Sequence, residues 1–315
     1  HQGDLDHQGD LEDEGGLPHE GRRDHQGNQV HREAHCEDLG QVHAEGPRQD
    51  DTEGRRQGDA ENCQHVHTEG VGQVRRQGLR QDLPHVVIRS PNIWDSPDVY
   101  ELENLASDRA GVIDLALNAI HPLDGSVLLD VGCGAGFHLP RFAARGARVI
   151  GLEPHLPLVE RARARLAAGA DGGPAASVIA GDAERMPLRD SSIDLAHARW
   201  AYFFGAGCEP GLSELARVLR PGGTALIVDN DVTRSTFGAW FSRAYPAYDP
   251  AGVQRFWDRQ GFTTDHLTIE WTFDTREDLD AVARIELPPA VADAVLATHD
   301  GLTVDYAVAL RWKRF

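Results

Sequence analysis

Residues 126–136 read Ser-Val-Leu-Leu-Asp-Val-Gly-Cys-Gly-Ala-Gly. Ser126 to Val131 is a compact apolar run suited to a buried parallel strand, and it passes directly into glycines at 132, 134 and 136. A helix is predicted from about Leu139 to Arg145. Strand, glycine turn and helix in this order let a ligand approach the backbone closely, because glycine lacks a Cβ and accepts positive φ. A nucleotide-like ligand is the expectation. Dinucleotide sites want Gly-x-Gly-x-x-Gly with pyrophosphate at the helix amino terminus. Here the third glycine comes one residue early and Phe137 follows it.

Outward from this loop the pattern continues. The apolar run Ala147 to Leu152 ends at Glu153, placing a carboxylate at the carboxyl end of a strand, where a ribose diol can donate two hydrogen bonds to it. A third strand, Ala176 to Ala180, delivers Gly181-Asp182-Ala183-Glu184. A fourth, Ile193 to Ala198, is followed by a helix from Gly211 to Leu219, then Arg220-Pro221-Gly222-Gly223-Thr224 and a strand from Ala225 to Asp229. His266 to Phe273 and Thr303 to Trp312 read as the last strands, with helices at Thr275 to Glu286 and Pro289 to His299.

In this order and spacing, Asp130-Val131-Gly132-Cys133-Gly134-Ala135-Gly136, Glu153, Asp182 and the Pro-Gly-Gly before a strand resemble the class I S-adenosylmethionine-dependent methyltransferases, of the small-molecule, ubiquinone/menaquinone-methyltransferase-like kind. The resemblance runs from about Pro91 to the carboxyl terminus. It implies an α/β, Rossmann-like fold: a seven-stranded mixed sheet with an antiparallel last strand inserted between its fourth-to-sixth neighbours, and helices on both faces. It implies S-adenosylmethionine as cofactor, held by Asp130, Gly132, Cys133, Gly134 and Gly136, with Glu153 on the ribose. Asp182 would accept from the adenine amino group and the Ala183 amide would meet the ring. Tyr100, in an amino-terminal cap over 91–100, would contact the methionine carboxylate. The implied activity is methyl transfer to a small-molecule acceptor. Two rivals are a regulatory protein that binds the same cofactor without chemistry, and an NAD(P)-dependent oxidoreductase. The glycine spacing and the lack of a Tyr-x-x-x-Lys pair disfavour the second.

Ligands of open α/β sheets lie beyond the carboxyl ends of the strands, so the acceptor should border His197-Ala198-Arg199-Trp200-Ala201-Tyr202-Phe203-Phe204 and Asp229-Asn230-Asp231. In-line displacement chiefly requires alignment and exclusion of water. For an acceptor with a removable proton, a base helps. His197, Tyr202 and Asp229 are the catalytic candidates, with Asp231 and His138 as further bases. His197 also reads as a satisfied core residue within an alternating strand. Trp200 and Tyr202 suit an aromatic wall for an organic acceptor or a sulfonium charge, and Arg199 suits an acidic substrate. Trp240, Phe241, Tyr245, Tyr248, Phe256 and Trp257 are expected to form an apolar lid.

Composition divides the 315 residues unevenly. Residues 1–85 contain no Phe, Tyr, Trp, Ile or Met, yet hold ten of the sixteen His and eleven of the thirteen Gln. Their scattered Leu, Val and Ala cannot offset the entropy of ordering the backbone, so a disordered, low-complexity tail is expected there and the methyltransferase domain at 86–315. The tail repeats short words, such as Arg-Arg-Gln-Gly at 55 and 75, without a fixed period. Thirty Arg against the single Lys313 suggest GC-rich coding, in which long frames stay open by accident, so a mis-assigned start is one reading of the tail. The net charge of −19 argues against a phosphate-backbone partner. Cys36, Cys63, Cys133 and Cys208 show no paired metal spacing, and no metal is expected. No apolar run reaches the ~18 residues of a membrane helix, and a cytoplasmic setting is the expectation.

Overall fold

A computed structural model describes residues 90–169 and 176–315. The expectations for residues 1–85, including the repeated words, Cys36 and Cys63, fall outside the described residues. Three helices come first, α1 (Pro91–Asp95), α2 (Pro97–Ala106) and α3 (Val112–Ile120). Strands and helices then alternate: β1 (Val127–Val131), α4 (Leu139–Ala144), β2 (Arg148–Glu153), α5 (Leu156–Ala168), β3 (Ala176–Ala180), β4 (Ile193–Arg199), α6 (Glu209–Val218) and β5 (Leu219–Asn230). Next are α7 (Thr236–Ala244), α8 (Pro250–Arg259), β6 (Thr263–Thr272), α9 (Arg276–Glu286), α10 (Pro289–Leu296) and β7 (Thr303–Arg314).

The strands form one sheet in the order β3-β2-β1-β4-β5-β7-β6. The first five run parallel to one another. The antiparallel β7 lies between β5 and β6. This is the mixed sheet with an antiparallel last strand that the resemblance implies. Parallel strands are covered on both faces and therefore read as continuous apolar runs. Leu128, Leu195 and Leu226 pack on one face with residues of α3, α4, α7, α9 and α10. Their chain neighbours Leu129, Ala196 and Ile227 pack on the other, against α6 and α8. Each such large side chain, fully buried, contributes roughly 1.5–3 kcal/mol.

Local signals set the helix ends. Both carboxylate oxygens of Asp108 accept from the first turn of α3, from the Val112 and Ile113 amides at 2.8 and 2.9 Å. Thr275 accepts from the Asp278 amide at 3.1 Å, and Glu277 and Asp278 place negative charge at the positive end of α9.

Two expectations are corrected. Pro221-Gly222-Gly223, expected ahead of the fifth strand, is part of it, because Phe315 continues the β7 pairing: the Gly222 amide donates to the Phe315 carbonyl at 2.6 Å and the Phe315 amide to the Gly223 carbonyl at 2.9 Å. The aromatic stretch before β6 forms no lid. Phe237 and Trp240 are buried on one face of the sheet and Phe256 and Trp257 on the other, Trp257 being 0% exposed.

The functional consequence of the strand order lies at β1 and β4. The chain leaves β1 toward β2 and leaves β4 toward β5, so the segments beyond these two strands diverge and open a crevice.

Candidate functional site

The glycine loop forms one wall of that crevice. Gly132, at φ +72°, and Gly134, at φ +54°, hold left-handed conformations that strain any residue with a Cβ. Space is also short: a Cβ at 132 would stand 2.4 Å from the Ala201 Cβ, and one at 134 would stand 2.7 Å from Ile93 Cδ1. The Gly132 and Cys133 amides donate to the Leu152 carbonyl at 2.8 and 3.0 Å, tying the loop to the end of β2.

The cleft is lined by Ser90, Ile93, Trp94, Tyr100 and Asn104 from the amino-terminal helices and their approach, and by the loop from Asp130 to Ala135 with His138. Leu152 to Pro154, Gly181 to Glu184, Arg199 to Tyr202 and Phe204 complete it. Its space, counted with the open mouth, is about 1200 Å³.

The expected cofactor residues meet here. Glu153 is buried, and its two oxygens accept from the Gly134 amide at 3.0 Å and the His155 amide at 2.9 Å. Burial raises its carboxyl above the ordinary range, with the two amides opposing. Each oxygen keeps a lone pair for a diol. Asp182 accepts from the Glu184 and Arg185 amides, both at 2.9 Å, which fixes its carboxylate beside Ala183. Cys133 is a buried thiol that burial, then Asp130 and Glu153, push well above its usual value, so it stays protonated. Gly136 lies past the lining residues, its φ of +76° turning the chain into α4.

Tyr100 enters from α2. Burial raises its phenol well above 10, with Glu103 and Glu286 adding to this and Arg199 opposing. Behind it stands a pair of acids the sequence did not announce: buried Glu103 and, from α9, Glu286, which also accepts from Asn92 at 2.7 Å. Desolvation raises both carboxyls, and Glu286 raises Glu103 further. The two are distant in sequence. Asn104, one helical turn after Tyr100, was also missed, although the i, i+4 spacing puts it on the same face.

The catalytic candidates separate. Tyr202 lines the cleft, its hydroxyl donating to Glu184 Oε1 at 2.9 Å, and Trp200 and Tyr202 both hold left-handed backbone, at φ +49° and +52°. His197 does not reach the cleft. It is 2% exposed, its Nδ1 lies 2.8 Å from Asp130 Oδ1, and its ring packs edge-on against Phe142. Its place is below the floor, supporting Asp130, because side chains alternate along β4 and position 197 points into the core. Asp229 is likewise buried away from the cleft, 3.5 Å from Arg311 Nη1, and burial raises its carboxyl to about 6. Asp231 accepts from Thr233 and pairs with His266 Nδ1 at 2.7 Å and Arg234 Nε at 2.9 Å, also outside the lining. The expectation of bases at His197 and Asp229 facing an acceptor is corrected accordingly. His138 does line the cleft, and burial, then Arg199 and His197, hold it well below 6.5, so its imidazole is neutral at pH 7.

Among the described residues no group of His, Cys, Asp and Glu is arranged to hold a metal ion, and no helix is long and apolar enough to cross a membrane.

Comparison with known proteins agrees with this geometry. Residues 129–227 match a family model described as "Methyltransferase domain". The chain is 38% identical over 105 residues to the biotin biosynthesis bifunctional protein BioHC of Cellvibrio japonicus, covering 33% of this chain and 20% of that protein. It is 34% identical over 112 residues to the malonyl-[acyl-carrier protein] O-methyltransferase of Serratia marcescens, covering 36% and 40%. The chain thus spans less than half the length of these curated relatives. The solved structure of YcgJ from Bacillus subtilis superposes with a TM-score of 0.48 at 18% identity, over 65% of this chain and 98% of that one. The matched stretch, residues 129–227, is thus similar to methyltransferase domains.

Proposed function

We propose that this chain transfers a methyl group from S-adenosylmethionine to a small-molecule acceptor by in-line displacement. The observation that carries the reading is the convergence of Glu153, Asp182, Ala183 and the Gly132–Gly134 backbone on one cleft at the β1/β4 switch point.

The residues fit the cofactor. Glu153 would take the ribose diol, Asp182 the adenine amino group and the Ala183 amide the ring. The bare backbone of Gly132 and Gly134 admits a close approach that a Cβ would block, and Tyr100 stands where the amino-acid tail is expected. S-adenosylmethionine, when bound, supplies a methyl carbon activated by the sulfonium charge. This chain's own residues do the rest. The hydroxyl of Tyr202 on Glu184 holds the segment after β4 against the cleft, and Trp200 with Phe204 gives it an apolar, water-excluding wall. The aromatic faces of Trp200 and Tyr202 are compatible with a sulfonium charge. Neutral His138 keeps a lone pair for an acceptor proton, but its lowered basicity makes alignment rather than proton removal the main contribution.

Small organic acceptors are favoured over nucleic acid by the charge of −19. The name of the Serratia marcescens relative points to acids as one acceptor class. The free thiols of Cys133 and Cys208 suit a reducing cytoplasm. We place the activity in residues 86–315, since every described lining residue lies between 90 and 204. Deleting residues 1–85 is therefore expected to leave cofactor affinity unchanged.

Calorimetry tests the reading. S-adenosylmethionine and S-adenosylhomocysteine are expected to bind and NADH to give no heat. Tight NADH binding without the other two would replace this function with hydride transfer, and cofactor binding without product release across a broad acceptor panel would leave a regulatory protein.

A further inference from the structure

This inference rests on the methyl-transfer reading and names the kind of acceptor. Four carboxylates line the cleft, and each has a partner: Asp130 has His197, Glu153 the amides of residues 134 and 155, Asp182 those of 184 and 185, and Glu184 the Tyr202 hydroxyl. Arg199 is the one Arg or Lys among the described lining residues, and its position is the opposite. Its Nε is buried without a hydrogen-bond partner. Its guanidinium carbon lies 4.3 Å from the Trp200 ring centre, a cation–π contact that uses no N–H donor. Asp108, Asp114 and Glu103 act on it through charge, but none hydrogen-bonds it. Both oxygens of Asp108 serve the α3 amides, and Asp114 lies against Arg145 at 3.5 Å.

A buried guanidinium Nε with no acceptor is an unfavourable arrangement unless a ligand completes it, and the group that completes a guanidinium best is the pair of coplanar oxygens of a carboxylate or phosphate. Arg199 also ends β4, on the side of the cleft where an acceptor is expected. We propose that Arg199 binds an oxyanion of the methyl acceptor, and that the acceptor is therefore a small organic acid, a carboxylate or phosphate monoester. The anion is an anchor. No bond to it changes, and it orients the acceptor's methylated atom. The carboxylates at the nucleoside end repel an acid from the wrong half of the cleft while Arg199 draws it to the right one.

The test uses the full chain, Arg199→Gln and Arg199→Lys. S-adenosylhomocysteine is titrated first. The protein saturated with it is then titrated with phenylacetate, malonate and phenyl phosphate, and with phenylacetamide, malonamide and phenol as uncharged counterparts. At least one acid is expected to bind the parent protein tenfold or more tightly than its counterpart. Arg199→Gln should weaken that acid at least tenfold, Arg199→Lys less, with S-adenosylhomocysteine affinity within threefold in both. Three results would overturn the proposal: acids and counterparts binding alike, no acid binding at all, or Arg199→Gln weakening S-adenosylhomocysteine tenfold, which would give the guanidinium to the cofactor's own carboxylate. Should Arg199→Gln fail to fold, Arg199→Lys and the acid-against-neutral comparison on the parent protein still decide. A parent protein that does not bind S-adenosylhomocysteine fails the methyl-transfer reading instead, so the two failures are distinct.

Discussion

Glu153 Oε2 accepts a hydrogen bond from the Gly134 amide at 3.0 Å, so the acid expected on the ribose also holds the glycine loop in place. Glu153→Ala removes both roles. S-adenosylhomocysteine affinity should fall by about 1–3 kcal/mol, the usual loss when a buried hydrogen-bonding group loses its partner. Isothermal calorimetry checks it, and an unchanged affinity would remove Glu153 from the cofactor site.

His197 supports Asp130 from below the cleft. His197→Leu leaves a buried carboxylate without its partner, and unfolding in urea should show a loss of about 1–3 kcal/mol or more. Turnover should fall less than the removal of a base requires, which is typically about 10²-fold or more. A stable variant with turnover lost on that scale would return His197 to the role of base.

Gly132→Ala places a Cβ against Ala201 in a backbone conformation that L-residues avoid. The left-handed conformation alone costs about 1–2 kcal/mol, and the overlap adds to it because Ala201 has no flexible end to give way. A lowered melting temperature together with weakened S-adenosylhomocysteine binding is expected. Wild-type behaviour in both would mean the loop and the segment after β4 do not touch.

Asp229 gives a pH dependence. Its carboxyl is raised to about 6 from 3.8 by burial, because Arg311 at 3.5 Å is too far to form a good hydrogen bond. Between those values the folded protein binds more protons than the unfolded one. The contribution to stability is therefore complete below about pH 4 and is lost as pH rises through about 6, a fall of roughly 3 kcal/mol. Asp229→Asn should flatten that part of the curve. Urea unfolding of both proteins across this range checks it, and parallel curves would refute the assignment.

Much of this was legible from local chemistry. The run from Ser126 to Gly136 specifies a strand and a loop because apolar continuity and glycine spacing act within a few residues, and Glu153 and Asp182 follow at strand ends for the same reason. What stayed hidden depends on partners far along the chain. Pro221-Gly222-Gly223 stands outside the fifth strand until Phe315 is known to pair beside it. Aromatic residues from 237 to 257 look like one surface until α7 and α8 are seen to cover opposite faces of the sheet. The packing of Glu103 near Glu286 joins two helices that no spacing rule connects. His197 was ambiguous because a histidine in an alternating strand serves equally as support or as base, and only its partner, Asp130, decides.

The insertion of β7 between β5 and β6 also bears on how the chain is made. All described cleft-lining residues up to Phe204 leave the ribosome well before Thr303–Arg314, and until that last strand emerges β5 has an open edge and β6 has no strand to pair with. The nascent protein thus passes through an interval in which its ligand-binding half is complete while its sheet is not. An unpaired edge is then open to wrong partners. Early capture of the cofactor would favour the folded half during that interval by mass action.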